Sequence, residues 1–241
     1  MVVVGAMKTA LVAIWRWVAS VCTLGFLALR GYQIKSAVHR FFFDRKYRDT
    51  PITVYPTLAE LHAWIDQQKW VKDGLTSLWD AVCTPQKVQA VGQGSGPLAK
   101  GDKVHEIGDC DEFAIYTTAA IEKALALGLM KEKNIANPRF FSVVWMERNG
   151  MPDGHNVCLL ERPQPNGPPK YSYMDYYMPS EPPLDTPAQV AVLIASTYAG
   201  WSANNYGGVE SGVMCWCAAK TDLTPTISGM GYGWNRGINQ K

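Results

Sequence analysis

Residues 139–178 hold three β-rich runs, RFFSVVWMER (139–148), HNVCLLERP (155–163) and KYSYMDYYM (170–178), parted by NGMPDG and QPNGPP. Aromatic and β-branched residues favour strands, and Asn-Gly steps close tight turns. Connections this short return a strand beside its predecessor, so the runs form an antiparallel meander. Just upstream, CDEFAIYTTAAIEKALALG reads as a helix over 111–128, closed by Gly128. One strong helix followed by a meander sets the class as α+β, with the helix packed on the antiparallel sheet.

Further helix starts carry capping signals. In TLAELHAWIDQQ, Thr57 and Glu60 have capping-box spacing, so a helix runs from about Leu58. TPQKVQAVG places Thr84 as N-cap and Pro85 at the first helical position, ending near Gly92. TPAQVAVLIAS repeats that pattern at Thr186 and Pro187 for a helix over 186–196. Past Trp201 the chain is rich in Gly and Asn and resists assignment; there are no internal repeats.

At 241 residues, 47% of them hydrophobic, the chain has room for one domain with extensions and too many apolar residues for disorder. The net charge of +2 gives no indication of nucleic acid, but it is unevenly spread. Eight basic residues within 1–50 (Lys8, Arg16, Arg30, Lys35, Arg40, Arg45, Lys46, Arg48) face only Asp44 and Asp49, a net of +6; the rest sums to −4. Within this basic stretch ALVAIWRWVASVCTLGFLAL (10–29) is apolar and about as long as a membrane-crossing helix. It reads as a membrane span, an interfacial helix or a helix buried in a large assembly such as a virion. If it spans, the basic residues after it keep the body cytoplasmic. The expected division is a leader at 1–48, a domain at 49–200 and a C-terminal extension at 201–241.

Six cysteines are too few for a disulfide scaffold at this length. Cys215-x-Cys217 lacks the second ligand pair that a structural zinc site needs, and VMCWCAAK reads as a buried strand or helix segment. GQGSGPLAKGDK ends in Asp-Lys rather than Lys-Ser or Lys-Thr, which rules out a phosphate-binding loop.

Cys110 is different. It stands at a helix start, where unpaired N–H groups and the helix dipole favour an anion. A nucleophilic thiol also needs a base, and the chain has four histidines. His39 lies in the leader, His62 in an upstream helix and His105 on the approach to Cys110. His155 opens a strand after Asp153-Gly154, and a hairpin through 164–169 brings it nearly opposite Asp175. An acid among tyrosines in a half-buried strand needs a partner, and an imidazole base needs an orienting acceptor. A helix-start thiol, a strand-start imidazole and a carboxylate on the next strand form an ordered set.

GDCDEFAIYTTAAIEKAL, GHNVCLLE and YSYMDYY resemble the three motifs of the transglutaminase-like cysteine proteinases, in particular their bacterial type, and WDAVCTPQKVQAV is similar to the Trp-to-Thr-Pro stretch that precedes that family's nucleophile. The resemblance covers roughly Leu58 to Tyr177. It implies a papain-like core with Cys110 as nucleophile, His155 as general base and Asp175 as its orienter. It also implies calcium at Asp109, Asp111 and Glu112 in some members, although acids at a helix start stabilise it without a metal. The segment GSGPLAKGDKVHEI before Cys110 is longer than is usual there. Besides the Cys110 N–H, the oxyanion donor therefore stays open among Gln86, Trp79 and Gln93.

The expected function is a thiol acyl-transfer enzyme, most simply a cysteine peptidase or amidase acting on a protein or peptide. Transglutamination and cell-wall amide hydrolysis use the same machinery. The competing class is a structural or virion-assembly protein of bacteriophage type that keeps the fold and contacts a membrane or partner subunits through its leader.

Overall fold

Successive side chains of a strand point to opposite faces, so an unbroken apolar run needs cover on both sides. β1 (Ala136–Met146) and β2 (Pro152–Arg162) hold such runs in Val143–Met146 and Val157–Leu160. In the computed structural model, which describes residues 32–70, 81–95, 108–146, 152–206 and 213–232, they form the middle of a five-stranded antiparallel sheet. β3 (Lys170–Met174), β4 (Val213–Ala219) and β5 (Pro225–Tyr232) complete it in the order β3-β2-β1-β4-β5. The described α-helices are α1 (Tyr32–His39), α2 (Leu58–Ile65), α3 (Pro85–Ala90), α4 (Cys110–Ala126) and α5 (Pro187–Tyr206). The class is α+β.

Strand alternation sorts the core into two halves. Phe140, Cys158, Leu160, Met174 and Ala219 face α4, with α2 and α3 packed behind it. Phe141, Val143, Val157, Leu159, Met214 and Trp216 face α5, against its Val190, Ala191, Ile194 and Ala195. α4 is buried from Asp111 to Thr118, so it is a central helix rather than a surface one. Each fully buried Leu or Ile in these layers stabilises the fold by roughly 2 kcal/mol.

The expected caps are in place. Thr57 Oγ1 accepts the Glu60 N–H at 3.1 Å, Thr84 Oγ1 the Lys87 N–H at 3.3 Å and Thr186 Oγ1 the Gln189 N–H at 3.2 Å. α5 runs ten residues past the expected end at 196. The hydroxyls of Ser196 and Thr197 bond back to the Val192 and Leu193 carbonyls, so these polar residues continue the helix instead of ending it.

Both expected domain boundaries fall inside connected structure. β4 pairs with β1 from Phe140↔Ala219 to Trp145↔Met214, and Met214, Trp216 and Ala218 enter the α5-side core. The stretch after residue 200 therefore supplies two sheet strands and is no appended extension. At the other end, α1 continues through a π-turn (Arg40–Asp44) and a 3-10 turn (Arg45–Tyr47) that lock onto the body. Arg40 donates to the carbonyls of Val82 (3.1 Å), Cys83 (3.0 Å) and Thr221 (2.9 Å). Buried Ser36 accepts the Val82 N–H, and buried Asp44 accepts the Thr84 N–H at 2.6 Å. These bonds cross the expected boundary at 48/49. The apolar run 10–29 lies outside the described residues; no described helix is long and apolar enough to cross a membrane.

Candidate active site

Cys110 is the first residue of α4, and the chain around it is held by a capping box. Asp109 is the N-cap, its Oδ1 accepting the Asp111 N–H at 3.4 Å, while Glu112 Oε2 accepts the Asp109 N–H at 3.2 Å. Glu112 Oε1 faces the Cys83 N–H at 3.4 Å, tying the helix start to the strand-like approach to α3. Gly108 enters this turn at φ +105, and a Cβ there would lie 2.4 Å from Glu112 Oε2. Gly108→Ala thus meets backbone strain and displaces the capping carboxylate together. It is expected to cost about 2–4 kcal/mol, read as a lower urea midpoint with unchanged slope.

The capping role bears on calcium. One ligand atom from each of Asp109, Cys110 and Asp111 lies within 4.8 Å of the others. Glu112 stands outside that cluster, with its oxygens turned to backbone N–H groups. Calcium takes roughly six to eight oxygens, and two neighbouring carboxylates and a thiol do not supply that set. Asp109 and Glu112 thus act as helix caps rather than as parts of a calcium shell.

β2 carries the base. His155 Nε2 lies 3.0 Å from Asp175 Oδ2, and both side chains are buried, at 8% and 6% exposure. Asp175 follows the last residue of β3, where Met174 pairs with Cys158. Its Oδ1 accepts the Tyr176 N–H at 2.8 Å, and its Oδ2 also accepts the Tyr198 hydroxyl. The Tyr198 ring, from α5, stacks on the His155 imidazole with centroids 3.7 Å apart and planes 26° apart. Three polar groups thus converge on this buried carboxylate.

The sulfur sits one strand position away, at Asn156, which shares the α4 face with Cys158 and Leu160, whereas His155 shares the α5 face with Val157 and Leu159. β3 stops opposite Cys158, so Asn156 of β2 has no β3 residue beside it, and it presents both its backbone N–H and its side-chain amide to Cys110 Sγ, the amide at 3.7 Å. Cys110 is half-buried. No hydrogen bond joins its thiol to His155, whose Nδ1 has no partner among the described residues. Burial pushes the Cys110 thiol well above its ordinary value, the Asp111 and Asp109 carboxylates push it further, and the Asn156 donors pull only partly back. The helix start therefore does not favour a resting thiolate, contrary to the sequence-based expectation: burial first, and the flanking acids after it, raise the thiol despite the helix dipole.

No protein-family model, curated protein or solved structure matches the chain. The site is accordingly read from its geometry alone.

The other expected residues are dispersed. Gln86 is half-buried at the second position of α3, and Gln93 is exposed in the π-turn Val91–Ser95. Trp79 and His105 lie outside the described residues. His62 is nearer than its position in α2 suggested: its Nε2 is 3.0 Å from the Tyr176 carbonyl, pinning the backbone just past Asp175. The glutamine that α3 does bury is Gln89, whose Oε1 accepts the Thr53 N–H and the Tyr116 hydroxyl. Asn156 and Tyr198 were missed. A polar residue following His155 was a readable signal for the first; nothing in TPAQVAVLIASTYAG marked the second.

Proposed function

We propose that the chain is a thiol-dependent acyl-transfer enzyme of papain-like architecture, most simply a peptidase or amidase acting on a protein or peptide, with Cys110 as nucleophile, His155 as base and Asp175 as orienter. The reading rests on the buried His155–Asp175 pair at 3.0 Å, set beside the strand position that holds the Cys110 sulfur. With Nε2–H donated to Asp175, the lone pair of Nδ1 is the one left for the thiol proton. As that proton moves to Nδ1, sulfur adds to the amide carbon and the carbonyl electrons move to oxygen. The Cys110 N–H, lacking an intrahelical acceptor at the first helical position, stands ready for that oxyanion. Collapse expels the amine, which takes the proton from Nδ1 and leaves a thioester. Water then gives a proton to Nδ1 as it adds to the thioester carbon; collapse breaks the C–S bond, sulfur takes that proton back and the acid leaves, while an amine in place of water completes transfer. The test is alkylation of the full chain by iodoacetamide near neutral pH. Cys110 must react faster than the other cysteines, and equal or slower labelling sinks the reading.

A second reading, an inert structural or virion-assembly protein, is favoured by the raised Cys110 thiol. Under either reading we infer a contact to a membrane or large assembly through the N-terminal segment. Ile34, Val38, Phe41, Phe42 and Phe43 are between 44% and 69% exposed, beside the exposed Arg45, Lys46 and Arg48. Aromatic and basic side chains together suit an anionic lipid surface. Replacing Phe41, Phe42 and Phe43 by Ser is expected to cut co-flotation with phosphatidylserine vesicles roughly tenfold. Undiminished flotation would assign lipid contact to other parts of the chain.

A further inference from the structure

We propose that Tyr198 is a positioning residue for the His155–Asp175 pair, fixing both the plane and the tautomer of the imidazole; this rests on the acyl-transfer reading. Two independent contacts carry it. The Tyr198 hydroxyl donates to Asp175 Oδ2, the oxygen that faces His155 Nε2, and the Tyr198 ring lies flat on the imidazole at 3.7 Å and 26°. One side chain therefore grips both members of the pair from a different layer of the fold. α5 is itself anchored, through Val190, Ala191, Ile194 and Ala195 in the core beneath the sheet.

His155 is the fourth residue of β2, paired with Val143, and alternation sets it on the α5 face with Val157 and Leu159, where its ring meets Tyr198 while the adjacent Asn156 faces Cys110. Nδ1 can serve the sulfur only if the ring keeps Nε2–H on Asp175 and presents its other edge. Stacking sets the ring plane. The hydroxyl fixes the carboxylate rotamer, together with the Tyr176 N–H on Oδ1. Freed of the first contact the ring can swing; freed of the second the carboxylate can turn and accept at another angle.

The experiment uses the full chain with 15N-labelled histidine, comparing wild type, Tyr198→Phe and Tyr198→Leu, with the His155 signals assigned by a His155→Gln variant. Long-range 1H–15N spectra at neutral pH report the tautomer without turnover. Wild type is expected to be almost wholly Nε2–H. Tyr198→Phe keeps the stack and loses the hydroxyl; its Nδ1–H fraction should rise and its Cys110 alkylation fall roughly fivefold. Tyr198→Leu loses both contacts and should show mixed tautomers with alkylation down by roughly fiftyfold. Matching thermal midpoints for wild type and Tyr198→Phe exclude a general loss of fold. An unchanged tautomer in both variants overturns the proposal. If the tautomer responds but Cys110 is unreactive even in wild type, the pair is positioned as argued and the acyl-transfer reading is what fails.

Discussion

His155→Ala is expected to leave the chain folded and slow Cys110 alkylation near neutral pH by roughly a hundredfold or more. The size of the effect follows from the resting state of the thiol. Where a helix dipole alone ionises a cysteine, removing a nearby imidazole costs little, because the thiolate persists. Here burial comes first in raising the thiol, and Asp111 and Asp109 add to it, so almost no thiolate exists without a base. Under the proposed acyl-transfer reading, reactivity then comes from proton transfer to His155. The fold should tolerate the change: the vacated space is bordered by the Tyr198 ring, and Asp175 keeps donors from Tyr176 and Tyr198. Removing one donor from a buried carboxylate still costs about 1–3 kcal/mol, so the urea midpoint is measured alongside. The companion variant is Asn156→Ala. It removes the 3.7 Å side-chain contact to sulfur while leaving His155 in place, and its loss of rate should be far smaller. Equal alkylation of wild type and His155→Ala would leave the thiol indifferent to the imidazole and support the inert-scaffold reading.

Much of this site was legible because it depends on local chemistry. The Asp109–Glu112 capping box, the turns around the three β-rich runs and the near-opposition of 155 and 175 are short-range patterns, and short-range physics places them. What escaped was long-range. The Gly- and Asn-rich tail looked like an extension even though VMCWCAAK within it read as a buried strand or helix segment, because the pairing of that strand with β1 is long-range. Tyr198 lay past the expected helix end at 196, and its contacts with His155 and Asp175 exist only because α5 continues and packs against the sheet. The leader boundary fell at 48 because a sequence cannot distinguish an arginine in water from Arg40, which bridges three carbonyls of distant segments. Electrostatics misled in the same way: the helix dipole at Cys110 is a general effect, whereas the burial that outweighs it, with the two flanking carboxylates adding to it, exists only once the chain is folded.

Asp44→Ala is expected to be the most damaging of the stability changes, since its carboxylate is the joint between the N-terminal segment and the domain. Its side chain has 0% exposure; Oδ2 accepts the Thr84 N–H at 2.6 Å, while Oδ1 lies 3.4 Å from His39 Nε2 and 3.7 Å from Lys87 Nζ. Truncation strands the N-cap N–H of α3 and leaves Lys87 without its main counter-charge. Removing one partner of a buried pair costs about 3–5 kcal/mol, and the partial exposure of Lys87 places this case at the lower end. Asp44→Asn keeps an acceptor for Thr84 and should lose less. The pH dependence separates charge from packing. Burial would raise the Asp44 carboxyl, but the His39 hydrogen bond, the Lys87 charge and the Thr84 N–H outweigh it and hold the group below its ordinary value. A carboxyl depressed on folding contributes stability that is present in full above its unfolded value and is lost as pH falls toward its folded one. Urea midpoints of wild type and Asp44→Asn should therefore converge on acidification below about pH 4, where the wild-type advantage titrates away. A gap between the two that stays constant from pH 7 to pH 3 would mean that the carboxylate acts there as a hydrogen-bond acceptor and its charge plays no part in holding the N-terminal segment to the domain.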